Sequence, residues 1–284
     1  MFNFYKTPQI GFRDSRTIIN GFVFSSFCLV FCSLFFLFSC SETESPESGQ
    51  PKAEEETLIP GFDYAKSDTA AVSIASEMVK AMGGWKNWNK ARFFTWNFFG
   101  EQKHYWDKQS GDIRIESLGS NLIILMNVNT KKGKVFVNGR EITQADSLKK
   151  FMDMGEQMWF NDSYWLVMPF RLFEPGVILK YLDEDVAQTG ETAEVIEVTF
   201  SSGPFKDKKC LVYVENSSHL AIQWSLYSKA TNEDPTFVTG WTDYEKYHNI
   251  WLASGRGRFE ITDIAVVDSF PSHTFVTPMP VGIY

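Results

Sequence analysis

The sequence predicts an α+β fold in which an antiparallel sheet is closed by helices, behind an export segment. Three observations predict it. Apolar residues recur at helical spacing in two separate stretches, and two-residue alternation fills much of the chain between and after them. The order is therefore helix, several strands, a helical interruption, and several strands again. No internal repeat at a fixed period competes with that reading.

Residues 1–39 read as a signal peptide. Asn3–Asn20 sets Lys6, Arg13 and Arg16 against Asp14, and Gly21–Phe38, GFVFSSFCLVFCSLFFLF, carries no charge. An apolar run of 18 residues is also long enough to cross a bilayer, so an uncleaved anchor helix is the alternative. Leu37-Phe38-Ser39-Cys40 resembles the lipobox of bacterial lipoproteins, although Phe38 is bulkier than the usual residue there. The resemblance implies that Cys40 is lipidated and becomes the first residue of the mature chain. Residues 40–59 then form an acidic tether, poor in apolar residues, and residues 60–284 a single domain. Such a tether reaches about 20–25 Å, enough to hold a body just off a membrane.

Removing residues 1–39 takes away three basic residues and one acidic one, so 27 Lys+Arg and 35 Asp+Glu become 24 and 34, a net charge of −10. An acidic surface repels phosphate backbones and disfavours nucleic acid as a partner. Cys210 is the one cysteine after Cys40, so no disulfide can form within the body. It opens the strand CLVYV and reads as a small core residue.

Within the body, Ser67–Met82 places Ala71, Ile74, Ala75, Met78 and Met82 on one helical stripe, with Gly83-Gly84 as its stop. Phe94, Trp96 and Phe98 then alternate with Thr95 and Asn97. Ile113 and Ile115 alternate with Asp112, Arg114 and Glu116, which predicts a meander solvated on one face. Val135 and Val137 follow a turn, and Asn138-Gly139 makes another. Thr143–Asp146 resembles a capping box, and Leu148, Phe151, Met152, Gly155, Met158 and Trp159 follow at helical spacing. That helix is expected to yield near Asn161-Asp162, leaving a short helix or apolar elbow bent at Pro169. Strands resume after Gly190, with a hairpin around Asn216–Ser218 and further strands at Thr236–Tyr244, Ile250–Ala253 and Arg258–Val267.

Two stretches carry a family resemblance: MVKAMGGWKNWNKARFFTWNF at residues 78–98, and YWLVMPFRLFEPGV at residues 164–177, the latter followed by the hairpin VYVENSSHLAIQW. Over most of residues 67–268 the chain resembles bacterial lipoproteins with a fold like the lipoprotein carrier and receptor of the outer-membrane sorting pathway (LolA/LolB-like). The resemblance implies an incomplete antiparallel β-barrel, plugged by helices around an apolar hollow that takes acyl chains. It also implies an outer-membrane address. The receptor's membrane-probing apolar loop has no counterpart here, so sorting activity does not follow from the likeness.

On this reading Trp96, Phe98, Ile113, Ile115, Met154, Met158, Trp159, Trp165 and Met168 line or cover the hollow. Met152, Met154, Met158 and Met168 suit a lid that adapts to varied apolar partners, and they equally suit a helix simply packed on a sheet. Arg171 reads as the surface partner of Glu174, with a ligand headgroup as the alternative. His104, His219, His248 and His273 have no metal-ligand spacing, and no nucleophile motif stands beside a base. The expected protein is a non-enzymatic, monomeric, membrane-anchored binder of a lipid, an acyl chain or an acylated protein, without metal or cofactor. The rival is an envelope interaction module with a filled core; a hydrolase ranks third.

Overall fold

The computed structural model describes residues 58–282. The export segment, Cys40 and residues 41–57 lie outside the described residues. The chain divides into two units, Met1–Glu55 and Glu56–Tyr284. The second has its own continuous core, which is the condition for folding independently. Among the described residues, no helix is long and apolar enough to cross a membrane.

Among the described residues, three helices and fourteen strands make an α+β fold. Helices α1 (Thr69–Ala81) and α2 (Gly84–Lys90) come first. A meander follows: β1 (Phe93–Phe98), β2 (Gln102–Asp107), β3 (Asp112–Ser117), β4 (Leu122–Asn127), β5 (Lys132–Val137) and β6 (Arg140–Glu141). Helix α3 (Ala145–Arg171) leads into β7 (Val177–Val186), β8 (Thr192–Phe200), β9 (Lys209–Glu215), β10 (Ala221–Tyr227) and β11 (Phe237–Gly240). The chain ends its regular structure with β12 (Thr242–Tyr247), β13 (Ile250–Arg256) and β14 (Phe259–Val267).

The strands form two antiparallel sheets, where the sequence predicts one. Nine strands run in the order β12-β13-β14-β1-β2-β3-β4-β5-β6, and five in the order β11-β10-β9-β8-β7. No closed barrel forms among the described residues. The chain leaves the first sheet through α3 and returns at Trp241, a buried residue between β11 and β12.

Alternation along β1–β5 sets two rows on one face. Phe94, Trp106, Ile113, Met126 and Gly133 pair across the strands in the first; Trp96, His104, Ile115, Ile124 and Val135 form the second. Helix α3 lies on this face. A Cβ at Gly155 would stand 2.9 Å from Ile124 Cγ2, so the glycine is what lets the helix touch the sheet.

The opposite face departs from expectation. It is not solvated around Arg114, because residues 268–282 run back across it. Arg114 is 1% exposed and donates to the carbonyls of Thr274, Thr277, Pro278 and Met279 at 3.1, 2.8, 3.4 and 2.9 Å. Its Nε also donates to Glu116 Oε1 at 2.6 Å. Phe270 stands edge-on to Phe93 and Tyr105 of the same face. Strand β4, LIILM, is apolar without alternation: Leu125 pairs with Arg114 on this covered face and is buried, as Ile124 is on the other.

Gly83-Gly84 ends α1 as expected, with Gly83 at φ +111°, but a second short helix, α2, follows at once. Two helical expectations are corrected. The cap of α3 is Gln144, not Thr143: its side-chain oxygen accepts from the Ser147 N–H at 2.8 Å. The helix runs through Asn161-Asp162 and breaks at Val167 (φ −124°, ψ 21°), two residues before Pro169. Proline has no N–H for the carbonyl four residues earlier, that of Trp165. Arg256 Nη2 donates to that freed carbonyl instead.

Candidate functional site beneath helix α3

The seam between α3 and the nine-stranded sheet is where most of the sequence-predicted binding residues meet. The helix crosses the strands in order. Its Met152 reaches the backbone of β5 at Gly133, and Gly155 rests on Ile124 of β4. Trp159 stands edge-on to Trp106 of β2, with ring centroids 5.6 Å apart. Trp165 approaches Phe98 of β1 at 6.2 Å and Trp224 of the second sheet at 4.7 Å.

Trp96, Ile113, Ile115, Trp165 and Met168 are buried, while Phe98, Met154, Met158 and Trp159 are partly exposed and pack against the same core. The four lid methionines therefore do not share one lining. Met152 and Met168 are buried, whereas Met154 borders a 360 Å³ surface cleft with Asp146, Lys149, Lys150, Asp153 and Gln157. A second surface cleft, of 340 Å³, is lined by Lys90, Arg92, His248 and neighbouring residues. Polar residues make up most of the lining of both clefts.

Sequence reasoning missed the polar centre of this seam. His104 Nε2 and Asp162 Oδ2 are 2.8 Å apart, joining β2 to α3, with both side chains almost wholly buried. The Asn161 side-chain amide donates to Asp162 Oδ1 at 2.9 Å. The Trp96 ring stacks on the imidazole, centroids 4.5 Å apart and planes within 7°. Among the described residues, His104 Nδ1 and the indole N–H groups of Trp96 and Trp159 have no hydrogen-bond partner. Among the described residues, neither imidazole nitrogen meets a hydroxyl or thiol. The pair's chemical capacity is to fasten helix to sheet through a buried, breakable link.

At the C-terminal end of α3, Arg171 pairs with Glu174 as expected, Nε to Oε1 at 2.7 Å and Nη2 to Oε2 at 3.0 Å. The surface location expected for it is wrong, because its guanidinium is buried. Nη1 donates to the Phe160 carbonyl and to Ser163 Oγ, and the cation lies 4.2 Å from the Tyr164 ring centre. Trp88 stacks on Phe170 at 4.3 Å, tying α2 to the broken end of α3. Cys210 lies fully buried in β9, where desolvation pushes its thiol up to about 12. A thiol so protonated is a core group. Its burial also follows the expectation from the strand CLVYV.

No family model matches the chain, and no curated protein matches it. Among solved structures it is similar to a domain assigned to outer membrane lipoprotein sorting from Vibrio parahaemolyticus, at 11% identity and a TM-score of 0.41. That alignment covers 73% of this chain and 96% of the other. MucB is similar at 15% identity and a TM-score of 0.25, covering 73% of this chain and 62% of that one. The complex of Pseudomonas aeruginosa MucA and MucB aligns at 15% identity and a TM-score of 0.19, over 61% and 59% of the two chains.

Proposed function

We propose that this chain is an exported lipoprotein, anchored through Cys40, that binds an acyl or other amphiphilic ligand without chemical conversion. The ligand lies between α3 and the nine-stranded sheet, and α3 moves to admit it. The observation that carries this reading is the construction of α3. It is a long helix laid on an aromatic and aliphatic face, broken at Val167, and fastened at its centre by the buried His104–Asp162 pair. A buried polar link contributes less to stability than an apolar replacement of the same shape, and such links suit elements that have two positions. An outer-membrane location accords with the lipobox-like Leu37–Cys40, as does the acidic tether that follows it.

The test is native mass spectrometry of the 56–284 domain purified from a bacterial envelope, followed by titration with a fluorescent fatty acid. Co-purified lipid and micromolar binding, about −8 kcal/mol, are expected. Met158→Glu is expected to weaken that binding more than it lowers the unfolding midpoint. A protein free of lipid that binds no probe would overturn the reading. The contact of Gly155 with Ile124 favours the second reading, an envelope interaction module whose core is permanently full. On that reading the probe finds no site at any concentration.

A further inference from the structure

Three arginines are buried in this domain: Arg114, Arg171 and Arg256. Arg114 has Glu116 and Arg171 has Glu174, but Arg256 has no carboxylate partner among the described residues. It is 0% exposed. Its Nη1 donates to the Gly255 carbonyl at 2.6 Å, its Nη2 to the freed carbonyl of Trp165, and its Nε to nothing among the described residues. The guanidinium lies 3.5 Å above the Trp241 ring, whose own N–H is also unpartnered. Behind it, Trp224 stands edge-on to Trp241, and its N–H has only the Cys210 sulfur, a weak acceptor, beside it. Asp243 is exposed and already accepts from Thr242 at 2.8 Å. Burial pulls the guanidinium down to about 9, which still leaves it cationic at neutral pH.

The Tyr244 hydroxyl, also near, donates to the Ala221 carbonyl at 2.9 Å, and the remaining surroundings of Arg256 are rich in donors and short of acceptors. Arginine and tryptophan side chains offer N–H groups and no lone pair, so what this aromatic box lacks is an anion. The geometry of the other arginines says which kind. Arg92 grips Asp107, and Arg171 grips Glu174, through the same edge of the guanidinium, Nε together with Nη2. In Arg256 that edge is half used: one carbonyl on Nη2 and none on Nε. We propose that the Nε–Nη2 edge of Arg256, with the Trp241 ring against its face, is a seat for a carboxylate, exposed when α3 shifts at its Val167 break and withdraws the Trp165 carbonyl. A carboxylate matches that fork with two parallel bonds, where the peptide carbonyl supplies one. The seat rests on the acyl-binding reading: the carboxylate is the head of the ligand, and the tail runs under α3 past Trp165 toward Trp159. The same chemistry admits a small free acid as the source.

The experiment titrates the 56–284 domain calorimetrically with dodecanoate, dodecanol and acetate. Dodecanoate is expected to bind about tenfold tighter than dodecanol, the order of one charge-assisted bidentate pair. Arg256→Lys keeps the charge and a donor for Trp165 but removes the fork, and is expected to erase most of that preference. Trp241→Phe keeps the ring and should lower dodecanoate affinity while leaving dodecanol unchanged. Acetate binding abolished in Arg256→Lys would support the seat and make a free acid its source. Equal binding of dodecanoate and dodecanol by the unaltered domain overturns the seat and leaves the acyl reading standing. Dodecanoate and dodecanol both failing to bind overturns the acyl reading, and acetate failing with them removes the seat as well.

Discussion

Arg114 replaces bulk water with four backbone carbonyls and one carboxylate, all but the last from residues about 160 positions away in the chain. Arg114→Met would leave those carbonyls facing an apolar group. It is expected to lower stability by about 3–5 kcal/mol, measured by urea unfolding, and to make residues 268–282 the first site of limited proteolysis. Removing either partner of the His104–Asp162 pair strands a buried polar group, so His104→Phe and Asp162→Leu should each cost about 1–3 kcal/mol. The double variant should cost less than their sum, a coupling that a double-mutant cycle reads directly. Asp107 gives a pH signature. Burial alone would raise its carboxyl, but the Arg92 guanidinium and the N–H groups of Ser110 and Gln109 outweigh that and hold it below 3.8. Its contribution is therefore complete above the ordinary 3.8 and lost as pH falls through the lower folded value. Asp107→Asn should flatten the acid limb of a melting-temperature profile below that pH. Of these partnerships only Arg171–Glu174 was legible in the sequence, because its members lie three positions apart. Arg114, His104 and Arg256 find their partners across the fold, where spacing carries no signal.

At the scale of elements, two glycines fix how close the layers come. A Cβ at Gly83 would stand 2.3 Å from the Asn249 carbonyl oxygen, and its φ of +111° suits no side chain. Gly83→Ala is expected to cost more than the roughly 1–3 kcal/mol typical of overpacking, since backbone cannot step aside as a side chain can. Gly155→Ala gains helix propensity but pushes on Ile124, and the two effects oppose each other. A net loss of about 1–2 kcal/mol is expected, read from thermal unfolding. The stripe of α1 and the alternation of β1, β3, β8 and β10 were legible because their apolar side chains recur at the period of the element, even where the strand's other face is also covered. β4 was not, since apolar residues buried on both its faces leave no alternation. Strand β7 escaped notice because its second half is exposed and acidic. The course of α3 was misjudged for a local reason. Asn161-Asp162 looks like a stop, yet Asp162 is consumed by His104 from another element, so the helix continues.

At the scale of the molecule, the proposed export and anchoring fall on residues outside the described body. Cys40→Ser is expected to leave an unprocessed precursor in the inner membrane and to abolish acyl labelling; unchanged labelling would end the lipoprotein reading. The domain also has an arrangement that no local pattern announces. β1 sits in the middle of its sheet, paired on one side with β2 and on the other with β14, so Phe94 lies opposite Val266. The strap that covers the outer face follows β14 directly. Order of synthesis then matters. A chain emerging N-terminus first can zip β1 to β6 early, since each strand meets its sequence neighbour. It cannot complete the sheet, or shield Tyr105 and Arg114, until its last residues arrive. For as long as synthesis takes, the half-made protein presents a bare, sticky edge and face. The cell must chaperone that interval, and a premature stop anywhere before Arg114's carbonyls would make the interval permanent.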